Sequence, residues 1–390
     1  MAAVKKNFAD ILSSLEGARD IKLREKLPSW AEAFSRQEAH CAGVNGIPKL
    51  SLEQCSSERA ALYKASVLER LMQGRKGHLC DLCCGLGADS WAFSKVCSSV
   101  DAFEADSALS ERTAANLAAL GADNVTVRNA CSESGMELGH YDVIYADPAR
   151  RDHSGKKVFL LQDCSPNIPD MMPLLRDRAS LLFFKLSPMA DISSVAKALG
   201  QGLREVHVVA CGSEVKELLC IMDTSYSGDF SINVCNLSFS AEPLFSFRAE
   251  EESESEVRYA LAQKGMILCE SRPELLKSGA YRLPCSIWGL KKLSVQAHLY
   301  VREQGSASPP ELFKQYLIED VLPFSKESFR TVGREWSDAS ISCRGLPVKS
   351  EELRRKLGLR SGGSSERHIF AYPGTEGRTM ALCTKIDTNQ

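Results

Sequence analysis

A doubly covered α/β fold with a mostly parallel sheet is predicted for the middle of this 390-residue chain by three observations. From 77 to about 223, short apolar runs alternate with amphipathic ones, the rhythm of strands followed by helices. A glycine turn, Asp81-Leu-Cys-Cys-Gly-Leu-Gly-Ala-Asp89, sits between the first strand and the first helix. An Asp147-Pro148 pair ends a later strand on what would be the same rim. The strands expected are 77–82, 99–104, 124–128, 141–146, 180–186, 204–210 and 215–222. Helices are expected at 88–97, 107–120, 168–178 and 190–200. Ligands of such sheets sit at the carboxyl ends of strands, near the point where strand order reverses.

The flanks read differently. Residues 1–75 are expected to be mostly helical, with apolar three- and four-residue spacing at Ala9–Leu15 and Ala60–Met72. Ser56 or Ser57 supplies an N-cap, with Glu58 at the positive helix end, while Pro28 and the Gly43–Pro48 segment break the earlier helices. After Asp223 the pattern shifts to turns and short strands, starting with Ser231–Phe239. The acidic run Glu250–Glu256 is expected to be a solvated loop. Residues 256–302 read as strand, helix (Pro273–Lys277) and further strand. Ser306–Pro310 reads as a linker, and 318–385 as another small α/β block. These shifts divide the chain at about 75, 225 and 312.

Bulk properties bound the function. Hydrophobic content of 44% and charged content of 25% describe an ordinary globular chain, and a net charge of -2 gives no global field for nucleic acid or membrane. The first residues, Met-Ala-Ala-Val-Lys-Lys-Asn-Phe-Ala-Asp, lack the apolar core of a signal peptide, and no apolar stretch is long enough to span a bilayer. A cytoplasmic location is therefore expected, with the fifteen cysteines reduced, no membrane partner and no metal. Cys80-x-x-Cys83 has no matching Cys/His pair downstream, so it reads as strand and turn instead of a zinc or redox site. Oligomeric state is not encoded in any pattern here. Residues 321–390 hold twelve Lys/Arg against eight Asp/Glu, densest at Arg354-Arg355-Lys356. Such a run is either a solvated helix face or a phosphate-contacting surface.

Several residues carry chemistry by position. Backbone N–H groups of the turn around Cys83, Gly85 and Gly87, with Asp81 at the strand end, suit a nucleotide-like ligand. Glu104 ends the second strand 23 positions after Asp81, where a carboxylate accepts hydrogen bonds from both ribose hydroxyls. Asn129, ending the third strand, is either an adenine contact or a turn residue. Asp147 and Pro148 present a carboxylate and backbone carbonyls that can grip an amine and aim its lone pair at a methyl donor. Arg150 and Arg151 either pair with carboxylates such as Asp152 or clamp a substrate phosphate. Lys185 and Ser187 end a strand on the same rim and are expected to line the pocket. Cys164 has no neighbouring base in the sequence to make it a nucleophile.

With those residues in place, the chain resembles the class I S-adenosylmethionine-dependent methyltransferases. Asp81–Asp89 is similar to their first motif, Glu104 to the ribose acid, Asn129 to the adenine-side position and Asp147–Arg150 to their Asp/Asn-Pro-Pro-aromatic loop. Ser51-Leu-Glu-Gln-Cys-Ser-Ser-Glu, Asp147-Pro-Ala-Arg-Arg-Asp, Lys185-Leu-Ser-Pro and Leu322-Pro-Phe-Ser-Lys-Glu resemble a bacterial group joining such a domain to ferredoxin-like and THUMP-like domains. The resemblance implies a Rossmann-like domain at 76–225, a ferredoxin-like domain at 226–312 and a THUMP-like domain at 313–390. It implies S-adenosyl-L-methionine as cofactor, bound by Asp81, Cys83, Gly85, Gly87, Glu104, Asn129 and Asp147. Catalysis would fall to Asp147, Pro148 and Arg150. RNA, ribosomal or transfer, would be the partner, methylated at a base nitrogen with the guanine exocyclic amine favoured. Arg151, Lys185, Ser187, Arg354, Arg355 and Lys356 are the substrate candidates. A protein or small-molecule acceptor, or an RNA-binding relative without turnover, are the alternatives. Two departures stand out: Cys83 replaces the first glycine, and Ala149-Arg150 replaces proline plus an aromatic that would stack on a base.

Overall fold

The structure is a computed structural model that describes residues 20–36, 47–131, 138–149, 162, 164–307, 309, 311–375 and 377–386. The expected helix at Ala9–Leu15, and residues Arg150, Arg151 and Asp152, lie outside the described residues. The chain divides into two units, 1–209 with 216–230, and 210–215 with 231–390.

In the first unit, residues 20–26 form helix α1, followed by α2 (Pro28–Arg36), α3 (Lys49–Gln54) and α4 (Glu58–Leu71). Pro28 separates α1 from α2, as a residue without an N–H is suited to do at a helix start. Ser57 caps α4 by accepting from the Ala60 N–H at 3.3 Å. Seven strands follow: β1 (His78–Asp81), β2 (Ser99–Glu104), β3 (Val125–Asn129), β4 (Tyr141–Ala146), β5 (Ala179–Leu186), β6 (Leu203–Cys211) and β7 (Glu214–Asp223). Helices α5 (Ala88–Ser94), α6 (Ser107–Ala119), α7 (Ile168–Arg178) and α8 (Ile192–Leu199) alternate with them. Their order is β3-β2-β1-β4-β5-β7-β6. Strands β1 to β5 pair in parallel, and β7 runs antiparallel to β5. The order reverses between β1 and β4, so the rim above that junction is where a ligand fits.

Helix α4 is tied to the sheet by charges as well as apolar packing. Lys64 is fully buried; its ammonium lies 2.6 Å from Glu217 of β7 and 3.1 Å from Asp89 of α5, and donates to Ser56 Oγ at 3.0 Å. Two turns on, Arg70 pairs with Glu205 of β6, which also meets His207 at 2.9 Å, while Tyr63 bonds the other His207 nitrogen at 2.7 Å. Burial works against the charge on Glu205, yet the His207 and Arg70 contacts hold its carboxyl down at about 2.

The second unit contains an antiparallel pair, β8 (Ser231–Asn236) with β9 (Phe245–Arg248), then α9 (Ala249–Glu254). Its larger sheet has seven strands in the order β11-β12-β10-β13-β16-β15-β14. These are β10 (Ile267–Ser271), β11 (Lys291–Lys292), β12 (Leu299–Arg302), β13 (Phe313–Pro323), β14 (Ala339–Cys343), β15 (Ser364–Gly374) and β16 (Gly377–Lys385). Helices α10 (Pro273–Ser278), α11 (Leu283–Trp288), α12 (Lys326–Glu335) and α13 (Ser350–Leu357) accompany them. Two expectations need correcting. The acidic run is helix α9 instead of a solvated loop: Glu252 accepts the N–H groups of Tyr281, Arg282 and Leu283 at 3.0, 2.8 and 3.0 Å, closing the start of α11. And α11 itself interrupts the segment expected to be strand after Lys277. No helix among the described residues is long and apolar enough to cross a membrane.

Replacing Lys64 with methionine leaves Glu217 and Asp89 buried without their cation. Removing one partner of such a buried cluster costs about 3–5 kcal/mol. Chemical denaturation should show the first unit of Lys64→Met unfolding at markedly lower urea concentration; an unchanged midpoint would show that the cluster does not support the fold.

Candidate active site

The rim above the β1–β4 junction opens into a cavity of about 630 Å³. β1 delivers Asp81 to its floor, and the turn after it supplies Cys83, Cys84, Gly85 and Leu86. The turn is shaped by Gly85 and Gly87, whose φ of 54° and 88° only glycine adopts without strain. A side-chain carbon at Gly87 would stand 2.8 Å from the Thr113 methyl, so α6 packs directly on the turn. Cys83 needs no such freedom: Gln73 and His298 are the only described non-glycine residues with positive φ. Its sulfur instead accepts the Asp147 N–H at 3.1 Å.

Asp81 is completely buried, accepting from Ser90 Oγ at 2.6 Å and from the Cys83 N–H at 3.2 Å. Burial pushes its carboxyl up to about 7, against the pull of those hydrogen bonds and with the charge of Asp89 adding to the rise. Burial likewise drives the Cys83 thiol well up, reinforced by the Asp81 and Asp147 charges. Glu104, from the end of β2, lines the cavity and receives the Gly85 N–H at 3.1 Å and the Asp106 N–H at 2.9 Å. Asp147, Pro148 and Ala149, which follow β4, line the cavity too. Ala149 is pinned by exchanging backbone hydrogen bonds with Ser165, at 2.6 and 3.2 Å.

Most of the residues singled out in the sequence therefore converge. Asp81, Cys83, Gly85, Glu104, Asp147, Pro148, Lys185 and Ser187 all line the one cavity. Gly87 shapes it from behind as the N-cap of α5. Asn129 turns its amide to the carbonyls of Glu104 and Ala105, at 2.9 and 3.1 Å, so it steadies the loop carrying Glu104. The lining from that strand comes from the next residues, Ala130 and Cys131. Cys164 precedes the lining pair Ser165-Pro166. In the second unit, Arg354 is bound by Glu351 and donates to the Arg360 carbonyl at 3.0 Å, Lys356 pairs with Glu352 at 2.7 Å, and Arg355 is exposed.

Other residues were not legible from spacing. Tyr145 reaches back from β4 to donate to Asp89 at 2.7 Å, and Ser56 donates to the same oxygen at 2.9 Å. This places Leu50, Ser51, Glu53, Gln54, Cys55 and Ser56 along the cavity wall. Lys185 is held by Asp147. Burial alone would lower its ammonium's proton affinity, but the Asp147, Glu217 and Asp89 carboxylates outweigh that and raise it. In all, five acidic residues and one lysine line the cavity; Asp147 and Asp89 are paired with the Lys185 and Lys64 ammoniums, and Glu104 accepts only backbone N–H groups among the described residues.

The THUMP domain-like family matches residues 313–385. Over 94% of its length the chain is similar to a solved structure of a proposed methyltransferase from Porphyromonas gingivalis W83. The identity is 28%, 88% of that chain is covered and the TM-score is 0.80. A proposed class I S-adenosylmethionine-dependent methyltransferase from Listeria monocytogenes matches at 13% identity, over 58% of this chain and 92% of that one, with a TM-score of 0.39. No curated protein matches the sequence. Fold and matches agree on a Rossmann-like methyltransferase fold of the class I, S-adenosylmethionine-dependent type, with a THUMP-like domain at residues 313–385.

The buried Asp81 makes stability depend on pH in a definite direction. An unfolded aspartate titrates near pH 3.9, roughly, whereas the folded one holds its proton to about 7. Its contribution is complete below the lower value and is lost as pH rises through that window. Denaturation midpoints of the ligand-free chain at pH 5 and pH 8 should therefore diverge less in Asp81→Asn than in the parent; equal divergence would contradict the buried, proton-holding carboxyl.

Proposed function

We propose that this methyltransferase acts on RNA, at a base nitrogen, with the guanine exocyclic amine favoured and ribosomal or transfer RNA as the substrate. The observation that carries the reading is the shared cavity, which the glycine turn, Asp81 and Glu104 line together with Asp147-Pro148. The residues fit the donor. Glu104 is set to receive the ribose hydroxyls, and the Gly85 region leaves open space where a side-chain carbon would meet nothing within 4 Å. The acidic lining suits a sulfonium, and when bound the donor supplies an electrophilic methyl group. The chain's own task is then to hold the acceptor nitrogen in line. Asp147 accepts a proton-bearing edge of the amine, and the Pro148 region adds backbone acceptors. The THUMP-like domain supports RNA as the partner, since such domains are associated with RNA binding. Arg354, Arg355 and Lys356 are its candidate phosphate contacts, with Arg355 the most open to one.

A specific observation favours a second reading, a protein or small-molecule acceptor. Two of the three basic side chains on α13 are already paired with Glu351 and Glu352, which reduces the positive field that phosphates would meet.

Calorimetric titration with S-adenosylmethionine should give binding that Glu104→Ala and Asp81→Asn each weaken by about 10- to 100-fold, the worth of hydrogen bonds to charged groups. Affinity should climb between pH 6 and 8 as Asp81 ionises, and Asp81→Asn should lose that climb. Transfer of labelled methyl from donor to total RNA, against protein and metabolite fractions, identifies the acceptor. Label in protein or metabolites alone would refute the RNA assignment.

A further inference from the structure

We propose that Lys185 and Met189 determine acceptor specificity: Lys185 donates to a ring atom beside the target amine, while Met189 covers the ring's face. The substrate class is an exocyclic amine on a planar nitrogen heterocycle, flanked by an unprotonated ring nitrogen or a carbonyl. This rests on the base-methylation reading and sharpens it, because a lysine or hydroxyl acceptor has no such edge.

Three observations support it. Lys185 sits at the end of β5 with its side chain 11% exposed, and it lines the cavity beside Asp147, whose side chain is 32% exposed. An ammonium carries three donors. Among the described residues Lys185 spends one hydrogen bond, on Asp147, while Glu217 and Asp89 act on it through charge. The pair thus presents to the cavity a carboxylate that accepts and an ammonium that donates, side by side. The amine and adjoining ring atom of a nucleobase edge offer the reciprocal pattern, donor beside acceptor.

The third observation answers the missing aromatic. Leu50 and Met189 line the same cavity, yet are 53% and 74% exposed. Single exposed apolar side chains are ordinary, but here two of them line one cavity and give its lining apolar surface beside the charged pair. Met189 belongs to the turn after Ser187-Pro188, four residues past Lys185, so edge-reading and face-covering come from one segment. Methionine is long, unbranched and polarisable, and packs favourably against aromatic rings.

The test uses the full chain with S-adenosylhomocysteine as the donor-site probe and RNA from cells lacking the gene as acceptor, read by labelled methyl transfer. Lys185→Met should leave S-adenosylhomocysteine affinity within about threefold while lowering kcat/KM for RNA about 100-fold, as loss of a charge-assisted hydrogen bond does. Lys185→Arg should recover part of that loss. Met189→Ala, a change at an exposed position that the fold tolerates, should raise KM about tenfold, and Met189→Phe should restore it. Loss of S-adenosylhomocysteine binding in a folded Lys185→Met would assign Lys185 to the donor's carboxylate and overturn the proposal. So would a wild-type kcat/KM for RNA in Lys185→Met together with a wild-type KM in Met189→Ala. If the parent enzyme methylates no RNA, the base-methylation reading fails and this inference falls with it.

Discussion

The ammonium of Lys64 has no solvent and three anchors: Glu217 on β7, Asp89 on α5 and the Ser56 hydroxyl. Much of the first unit is arranged so that this charge is tolerable. A buried cation needs its counter-ions close and its remaining donors bonded, and the cluster meets both conditions by joining a helix before the sheet, a late strand and the first helix after the glycine turn. Asp89 in turn takes the Tyr145 and Ser56 hydroxyls. Burial works against its charge, but Lys64, Lys185 and those hydroxyls hold its carboxyl below the usual range. The same ionic group therefore braces the fold from beneath and borders the cavity above. Its field extends to Lys185, so the electrostatics of the cavity are set partly by Glu217, which does not line it.

Much of this was readable in the chain because local signals and tertiary structure agree. The alternation between 77 and 223 matches β1 to β7 within a residue or two. Ser57, Asp106, Asn167 and Asp191 each cap the helix that follows them. Asp81, Glu104 and Asp147 converge because strand ends in a parallel sheet share a rim, a consequence of topology that spacing alone reveals. Asn129 shows the limit of that logic. Its strand end is in register, but the amide satisfies the carbonyls of the β2 loop, and two residues that carried no chemical signal line the cavity in its place.

Illegible parts share one physical feature, which is dependence on partners far away in sequence. Nothing near Lys64 announces a buried cation, since its counter-ions lie 25 and 153 positions away. The acidic stretch at 250–256 looks solvated by composition. Glu252 nonetheless finds three backbone donors some thirty residues on, and that makes α9 a fixed element of the second unit. The basic stretch at 354–356 is the exception: its partners are the local i−3 and i−4 glutamates, and it reads as a field source until they are seen to be bonded to it.

Cys83 stands where related turns carry glycine, and its sulfur holds the Asp147 amide. Thiol sulfur is a poor hydrogen-bond acceptor compared with a carbonyl or carboxylate oxygen. The glycine turn and the loop after β4 are thus fastened by a soft joint, while each is fixed firmly elsewhere: the turn by Asp81 and Glu104, the loop after β4 by Ser165. A soft joint between two stiff arms lets one arm shift by a fraction of an ångström without dragging the other. For a transfer that must first seat two guests of different shape and then press them into line, that mechanical independence is an asset a harder bond would remove.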